Sequence, residues 1–258
     1  MVIFGMIFVG YIYSNDVKAI SVGGILEHSV AIRIDGTLWA WGNNSGFQLG
    51  DGTQEERDNP IQIGTNRNWA AVSAGPGYTI AIRTDGTLWT WGNYLNILDR
   101  SYYEDRYGIK LANNPIQIGT DRNWASVSAG SAIKAAIKND GTLWTSNNPR
   151  DEQIVLTRIG TDNNWASVST KHFFAAAIKT DGTLWVWGGR VGGLHKEDII
   201  EHKTPIQVGT NRNWTSVSIC NQFAYALRAD GMLWKINWYF YSPEEEIEIE
   251  QVNFPARR

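Results

Sequence analysis

Asp35-Gly36-Thr37-Leu38-Trp39 is repeated letter for letter at Asp85–Trp89, Asp140–Trp144 and Asp181–Trp185, and again at Asp230–Trp234 with Met232 in the threonine's place. The aspartates stand 50, 55, 41 and 49 residues apart. A period in this range marks a repeat architecture, in which one small supersecondary unit buries its apolar surface against its own copies. Chains of this kind serve more often as binding platforms than as catalysts.

The unit around Asp85 is the clearest. Trp69–Gly75, Thr79–Arg83, Thr87–Trp91 and Pro115–Ile118 are β-prone runs bounded by Gly, Pro and Asn, which predicts four strands. Asp85-Gly86 lies between the second and third, and Asp-Gly is a preferred pair for a two-residue type I′ hairpin turn. Along the third strand Trp89 and Trp91 share one face and Leu88 takes the other, so the sheet is covered on both sides. The first strand carries Ser73, Ala74 and Gly75, small enough for a place where several strands converge. These features predict an all-β fold, a β-propeller of about five four-stranded blades. The repeats run at about 17–65, 66–120, 121–160, 161–210 and 211–254 within one domain, 17–258. A closed five-bladed ring, an open arc and part of a longer chain all remain open.

Of the thirteen tryptophans, all but Trp238 fall at repeated positions, so they belong to the architecture. Trp69, Trp124, Trp165 and Trp214 head their units and are expected to be buried between blades. The 258 residues carry a net charge of -3 with no cluster of Lys and Arg, which argues against nucleic-acid binding. The acidic run Glu244-Glu245-Glu246, Glu248, Glu250 reads as a solvated loop leading into an edge strand. Cys220, the sole cysteine, excludes an internal disulfide and reads as a small buried residue. Met1–Tyr13 is uncharged and too short for a stable membrane span. It reads as a signal segment or its remnant, or as a strand of a partial repeat. Export or the cell surface is the preferred location, with the cytoplasm as the alternative.

Trp41-Gly42-Asn43-Asn44-Ser45-Gly46-Phe47-Gln48-Leu49-Gly50-Asp51-Gly52-Thr53, preceded by Ser21-Val22-Gly23 and Ala31-Ile32, resembles the repeat of the regulator of chromosome condensation family. The A-I-x-x-D-G-T-L-W core recurs from Ala81, Ala136 and Ala177, and the likeness covers roughly residues 17–254. The resemblance implies a propeller, most often seven-bladed in that family. It also implies two uses. The eukaryotic nuclear member is a nucleotide-exchange factor that also docks on chromatin, through a projecting wedge and a basic tail that do not map onto this chain. A bacterial member inhibits a β-lactamase through a ring of loops, which is protein recognition by one propeller face.

No nucleophile elbow, phosphate loop, zinc spacing or calcium loop occurs. His28, His172, His195 and His202 are scattered and read as surface or turn residues. Asp51, Glu55, Glu56 and Asp58 read as solvated acid. Neither a metal nor a cofactor is expected, and no catalytic residue is assigned. What differs between units is the connectors, and variable loops on a rigid scaffold are where binding resides. The second connector, Tyr94–Lys110, carries Tyr94, Arg100, Tyr102, Tyr103, Arg106 and Tyr107, and unit five adds Trp238, Tyr239, Phe240 and Tyr241. Tyr, Trp and Arg dominate interface hot spots. These ten residues are the candidate binding site for a protein partner, with a glycan-binding or structural module as the alternative.

Overall fold

The computed structural model describes residues 16–23, 28–93, 112–131, 133–146, 154–189, 204–220, 223–239 and 246–254. These form twenty strands in five sheets. Blade 1 comprises β1 (Val17–Val22), β2 (His28–Arg33), β3 (Leu38–Gly42) and β4 (Arg57–Gln62). Blade 2 comprises β5 (Trp69–Ala74), β6 (Tyr78–Arg83), β7 (Leu88–Gly92) and β8 (Ala112–Ile118). Blade 3 comprises β9 (Trp124–Ala129), β10 (Lys134–Lys138), β11 (Leu143–Ser146) and the short β12 (Thr157–Arg158). Blade 4 comprises β13 (Trp165–Lys171), β14 (Phe174–Lys179), β15 (Leu184–Gly188) and β16 (Ile206–Gln207). Blade 5 comprises β17 (Trp214–Cys220), β18 (Phe223–Arg228), β19 (Leu233–Tyr239) and β20 (Glu246–Gln251). Each sheet is an antiparallel meander in chain order, and the first strands of all five blades line one central cavity. This is the β-propeller that the repeats predict.

The Asp-Gly pair of each of the five repeated pentapeptides lies at a hairpin, as expected, but the turn is not type I′. Gly36 N–H donates to Arg33 O (2.9 Å) and Arg33 N–H to Thr37 O (3.0 Å). Gly36 has φ of 79°, whereas positive φ among the described non-glycine residues occurs only at Phe47 and His172. The loop therefore has three residues, a type I turn closed by a left-handed glycine. Asp35 keeps ordinary backbone geometry, and its carboxylate accepts the N–H (3.1 Å) and hydroxyl (2.6 Å) of Thr37. Thr37 in turn accepts from Trp39 Nε1 at 2.9 Å. The pentapeptide is thus a self-capped turn, and the same bonds recur at Asp85, Asp140 and Asp181.

The core lies between blades. Four apolar clusters each span two consecutive blades. Trp69, Trp124, Trp165 and Trp214 are all buried there, as their fixed place in the repeat predicts. In blades 2 to 5 a β-bulge directly after the head tryptophan shifts the register; in blade 3 Lys138 pairs with Trp124 and Ile137 with Ser126, so the extra residue is Ala125. A bulge re-aims its side chain, here into the junction. A cation then lies against the indoles: Arg83 Cζ is 4.7 Å from the Trp69 ring and 3.6 Å from that of Trp89. Lys138, Lys179 and Arg228 repeat the arrangement in the following blades. Desolvated cation–π contacts of this kind contribute about 1–2 kcal/mol each.

Hydrogen bonds stitch the junctions. The head N–H of Trp69, Trp124, Trp165 and Trp214 donates to the turn glycine carbonyl of the preceding blade at 3.0–3.1 Å. Nearer the axis, Ser21, Ser73, Ser128 and Ser169 Oγ accept the N–H of Ala74, Ala129, Thr170 and Ile219 at 2.8–3.1 Å. The small residues of the first strand are therefore small because a neighbouring backbone bonds to them.

Candidate functional site

The second connector, with Tyr94, Arg100, Tyr102, Tyr103, Arg106 and Tyr107, lies outside the described residues, as do Phe240 and Tyr241. Trp238 and Tyr239 end strand β19, which pairs with β20 in the register Trp238↔Ile247 and Tyr239↔Glu246. The aromatic end of unit five is thus drawn out into a seven-residue strand, the extension that lets β20 pair along its full length. In β20 Glu248 and Glu250 are exposed while Ile247 and Ile249 are half-buried, which is the edge strand expected of the acidic run.

The first connector is described in full. Asn44 is its hub: the amide nitrogen donates to Asp51 Oδ1 (3.0 Å) and Thr53 O (2.9 Å), and Oδ1 accepts Leu49 N–H (3.0 Å). Gln48 Nε2 donates to Asn43 Oδ1, and Gln48 Oε1 accepts Gly46 N–H, both at 2.8 Å. Arg57 clamps Asp51 through two nitrogens at 3.1 and 2.8 Å. Asp51 is therefore no solvated acid. Burial pushes its pKa up, but the bonds from Arg57, Thr53 and Asn44 outweigh burial and hold it below the ordinary carboxylate value. The loop is pinned to blade 2, because Gln48 O accepts both Trp91 Nε1 (2.9 Å) and the Thr79 hydroxyl (2.8 Å).

That junction also corrects the reading of His28 as a surface residue: it is buried in β2, with Nε2 2.9 Å from Thr79 Oγ1. Thr79 spends its proton on Gln48 O, so it accepts and His28 Nε2 donates. A second correction concerns Cys220. It is exposed, because alternation at the end of β17 turns Ile219 inward and Cys220 out. His172 occupies the β13–β14 turn at φ of 51°. Among the described residues no three of His, Cys, Asp and Glu gather as a metal site, and no helix is long and apolar enough to cross a membrane.

The central cavity, about 230 Å³, is lined by the first strands and turns, among them Ser21, Ser73, Ser169, Lys171, His172 and Ser218. Its serines are mostly engaged: Ser21, Ser73 and Ser169 serve the junctions. The resolved pKa shifts mark structural groups. The Thr37 hydroxyl lowers Asp35, its counterparts do the same for Asp85, Asp140 and Asp181, and burial raises the Tyr78 phenol, which donates to Gly130 O at 2.7 Å. What the described part presents is a rigid scaffold whose polar groups are largely paired with one another. Sequence reading missed the serine series, whose only signal is the recurrence of Ser two residues before each strand's Gly, Lys or Cys end.

Residues 35–82 match the family model described as the regulator of chromosome condensation (RCC1) repeat, and residues 17–48 match a second model of that description. A Caenorhabditis elegans protein, the X-linked retinitis pigmentosa GTPase regulator homolog, is 39% identical over 66 residues. That segment is 25% of this chain and only 5% of the worm protein. Among solved structures, human WBSCR16 superposes with a TM-score of 0.69 at 16% identity, over 93% of this chain and 67% of that one. Saccharomyces cerevisiae Prp20p, a structure described with its binding properties to Gsp1p and histones, gives 0.67 at 17% identity. This chain is covered to 87% in that comparison and spans 57% of the yeast protein. At such identities the likeness establishes the fold.

Proposed function

The chain belongs to the regulator of chromosome condensation repeat family, and from that premise we propose that it is a non-catalytic scaffold that binds a protein partner through its variable connectors. The carrying observation is how the repeated residues are used. The head tryptophans are buried between blades, and the turn aspartates, four of the first-strand serines and the Asn44 hub bond within or between blades. Recognition then falls to side chains without a counterpart in other units, and the second connector concentrates them. Tyr102, Tyr103 and Arg106 are the anchors, supported by Tyr94, Arg100 and Tyr107, with Trp238–Tyr241 as a second patch. Tyr and Arg offer large contact area and directional hydrogen bonds at modest entropic cost. The binding of the yeast relative to Gsp1p and histones supports protein recognition as the class, without naming a partner.

The test is a pull-down with the whole chain scored by mass spectrometry, followed by affinity measurement on the recovered partner. Replacing Tyr102, Tyr103 and Arg106 together with Ala is expected to weaken binding about a hundredfold at unchanged melting temperature. Unchanged affinity removes this connector from the interface. Retention on a glycan array without any protein partner favours the glycan-binding reading instead.

A further inference from the structure

The turn between first and second strands begins on a glycine in blades 1, 2 and 3. Gly23, Gly75 and Gly130 each follow two residues after the junction serine of their strand, and their N–H groups donate to His28, Tyr78 and Ile133 O. A side chain is unwelcome there: a Cβ would lie 2.2 Å from the Tyr78 ring at Gly75 and 2.4 Å from Ile133 O at Gly130. Blade 4 keeps the register and the loop length but places Lys171 at this position, paired with Phe174. Alternation puts Lys171 on the same side of β13 as Ser169. It lines the central cavity together with Ser21, Ser73 and Ser169. A long cation thus stands where the repeat has a residue without a side chain.

The cavity has donors and nothing of its own to receive them. Elsewhere cations are paired: Lys138 meets Asp121 at 2.9 Å, Lys179 meets Asp162 at 2.8 Å and Arg57 meets Asp51 at 2.8 Å. Lys171 is half-buried and forms no ion pair with any described residue, and neither Asp nor Glu is among the residues that line the cavity. The serines add to the imbalance. Ser21, Ser73 and Ser169 Oγ accept N–H groups of Ala74, Ala129 and Ile219 at 3.0–3.1 Å. A hydroxyl that accepts still has its own proton to give. No described residue takes that proton from these three. Ser128, which does not line the cavity, differs: its hydroxyl lies 3.1 Å from the Thr170 hydroxyl.

We propose that the central cavity is a binding site for a small oxyanion, a phosphate or carboxylate group, with Lys171 supplying the charge and the serine hydroxyls the neutral donors. An ammonium and several hydroxyl protons without an opposing carboxylate suit a ligand that carries negative charge on more than one oxygen. The volume of about 230 Å³ admits such a group with part of its water. In each meander the turn after the first strand and the connector after the third leave the blade at the same end. The oxyanion therefore has two sources, a free anion or an acidic side chain of a protein held by the connectors. None of Tyr102, Tyr103 and Arg106 lines the cavity, so this site and the connector interface stand or fall separately.

Phosphorus NMR of inorganic phosphate, titrated with the full chain at constant ionic strength in sodium chloride, tests this. The parent is expected to broaden the phosphate line saturably, with a Kd of about 1 mM. Lys171→Gln is expected to weaken binding about tenfold or more, and Lys171→Arg to keep most of it. Circular dichroism and melting temperature are expected to stay unchanged in both, because the side chain forms no ion pair within the protein. A parent that broadens the line no more than Lys171→Gln does overturns the proposal, whether neither binds or both bind equally. The source is read on the partner recovered by pull-down. Phosphate that displaces it from the parent but not from Lys171→Gln marks an acidic group of the partner as the occupant. Phosphate that binds through Lys171 without displacing it marks the free anion.

Discussion

The connector after Trp41 and the connector after Trp91 occupy the same place in successive units and are made of different material. The first is Asn, Gln, Gly and Asp, and its polar groups are spent on one another and on blade 2. The second, Tyr94–Lys110, has no such set and carries four tyrosines and two arginines instead. A loop whose hydrogen-bonding groups are already satisfied gains little by meeting a partner. Tyrosine and arginine are the residue types that most often anchor an interface. One connector holds the molecule together, and the other is the one we assign to recognition.

The largest effect belongs to the scaffold that carries both loops. Trp124→Ala empties a buried site between blades 2 and 3 and is expected to cost about 3–5 kcal/mol in denaturant unfolding. An unchanged midpoint removes the head tryptophans from the explanation of the fold. Within the first connector, Asn44→Ala deletes three hydrogen bonds and strands the buried Leu49 N–H, for an expected loss of about 2–4 kcal/mol. The comparison sharpens if Tyr102→Ala, in the second connector, leaves the midpoint within about 0.5 kcal/mol. It breaks if the two substitutions cost the same.

Gly50→Ala is a smaller intrusion. Gly50 has φ of 79°, and a Cβ would lie 2.6 Å from Trp91 Nε1. About 1–3 kcal/mol of destabilisation is expected, read as a lowered melting temperature. The smallest effect is a pH dependence. Asp51 has a folded pKa below its ordinary value, so its contribution is present above that value and is lost as pH falls through the folded pKa. Melting curves of the parent and of Asp51→Asn are therefore expected to differ most near neutrality and to converge below about pH 4. A constant difference across that range removes the Arg57–Asp51 pair as the source.

The architecture was legible because it is written five times. The Asp-Gly of each repeated pentapeptide marks a hairpin and each head tryptophan a junction, signals that survive local drift such as Met232. The turn type was not legible: Asp-Gly is compatible with two-residue and three-residue loops, and only the φ angles decide between them. Contacts between units were also hidden. That Ser73 accepts from Ala129, or that His28 meets Thr79, follows from how blades stack and leaves no short-range pattern. Cys220 was misread because its side depends on the register set by the bulge after Trp214. The binding residues were proposed from what they do not share with the repeat, a weaker signal than recurrence.

The seam between blades also bears on how such a protein grows. The turn glycine of one unit packs under a carbonyl just before the next unit's tryptophan, so half of every seam is encoded on either side of it. A gene duplication that copies one period, wherever it begins, copies one half of each kind together. The lengthened protein can then close its new seam with the same atoms as the old ones. Gain or loss of whole units is in this way an easier evolutionary step than a short insertion within a strand, which would shift the serine and the glycine out of reach of their partners.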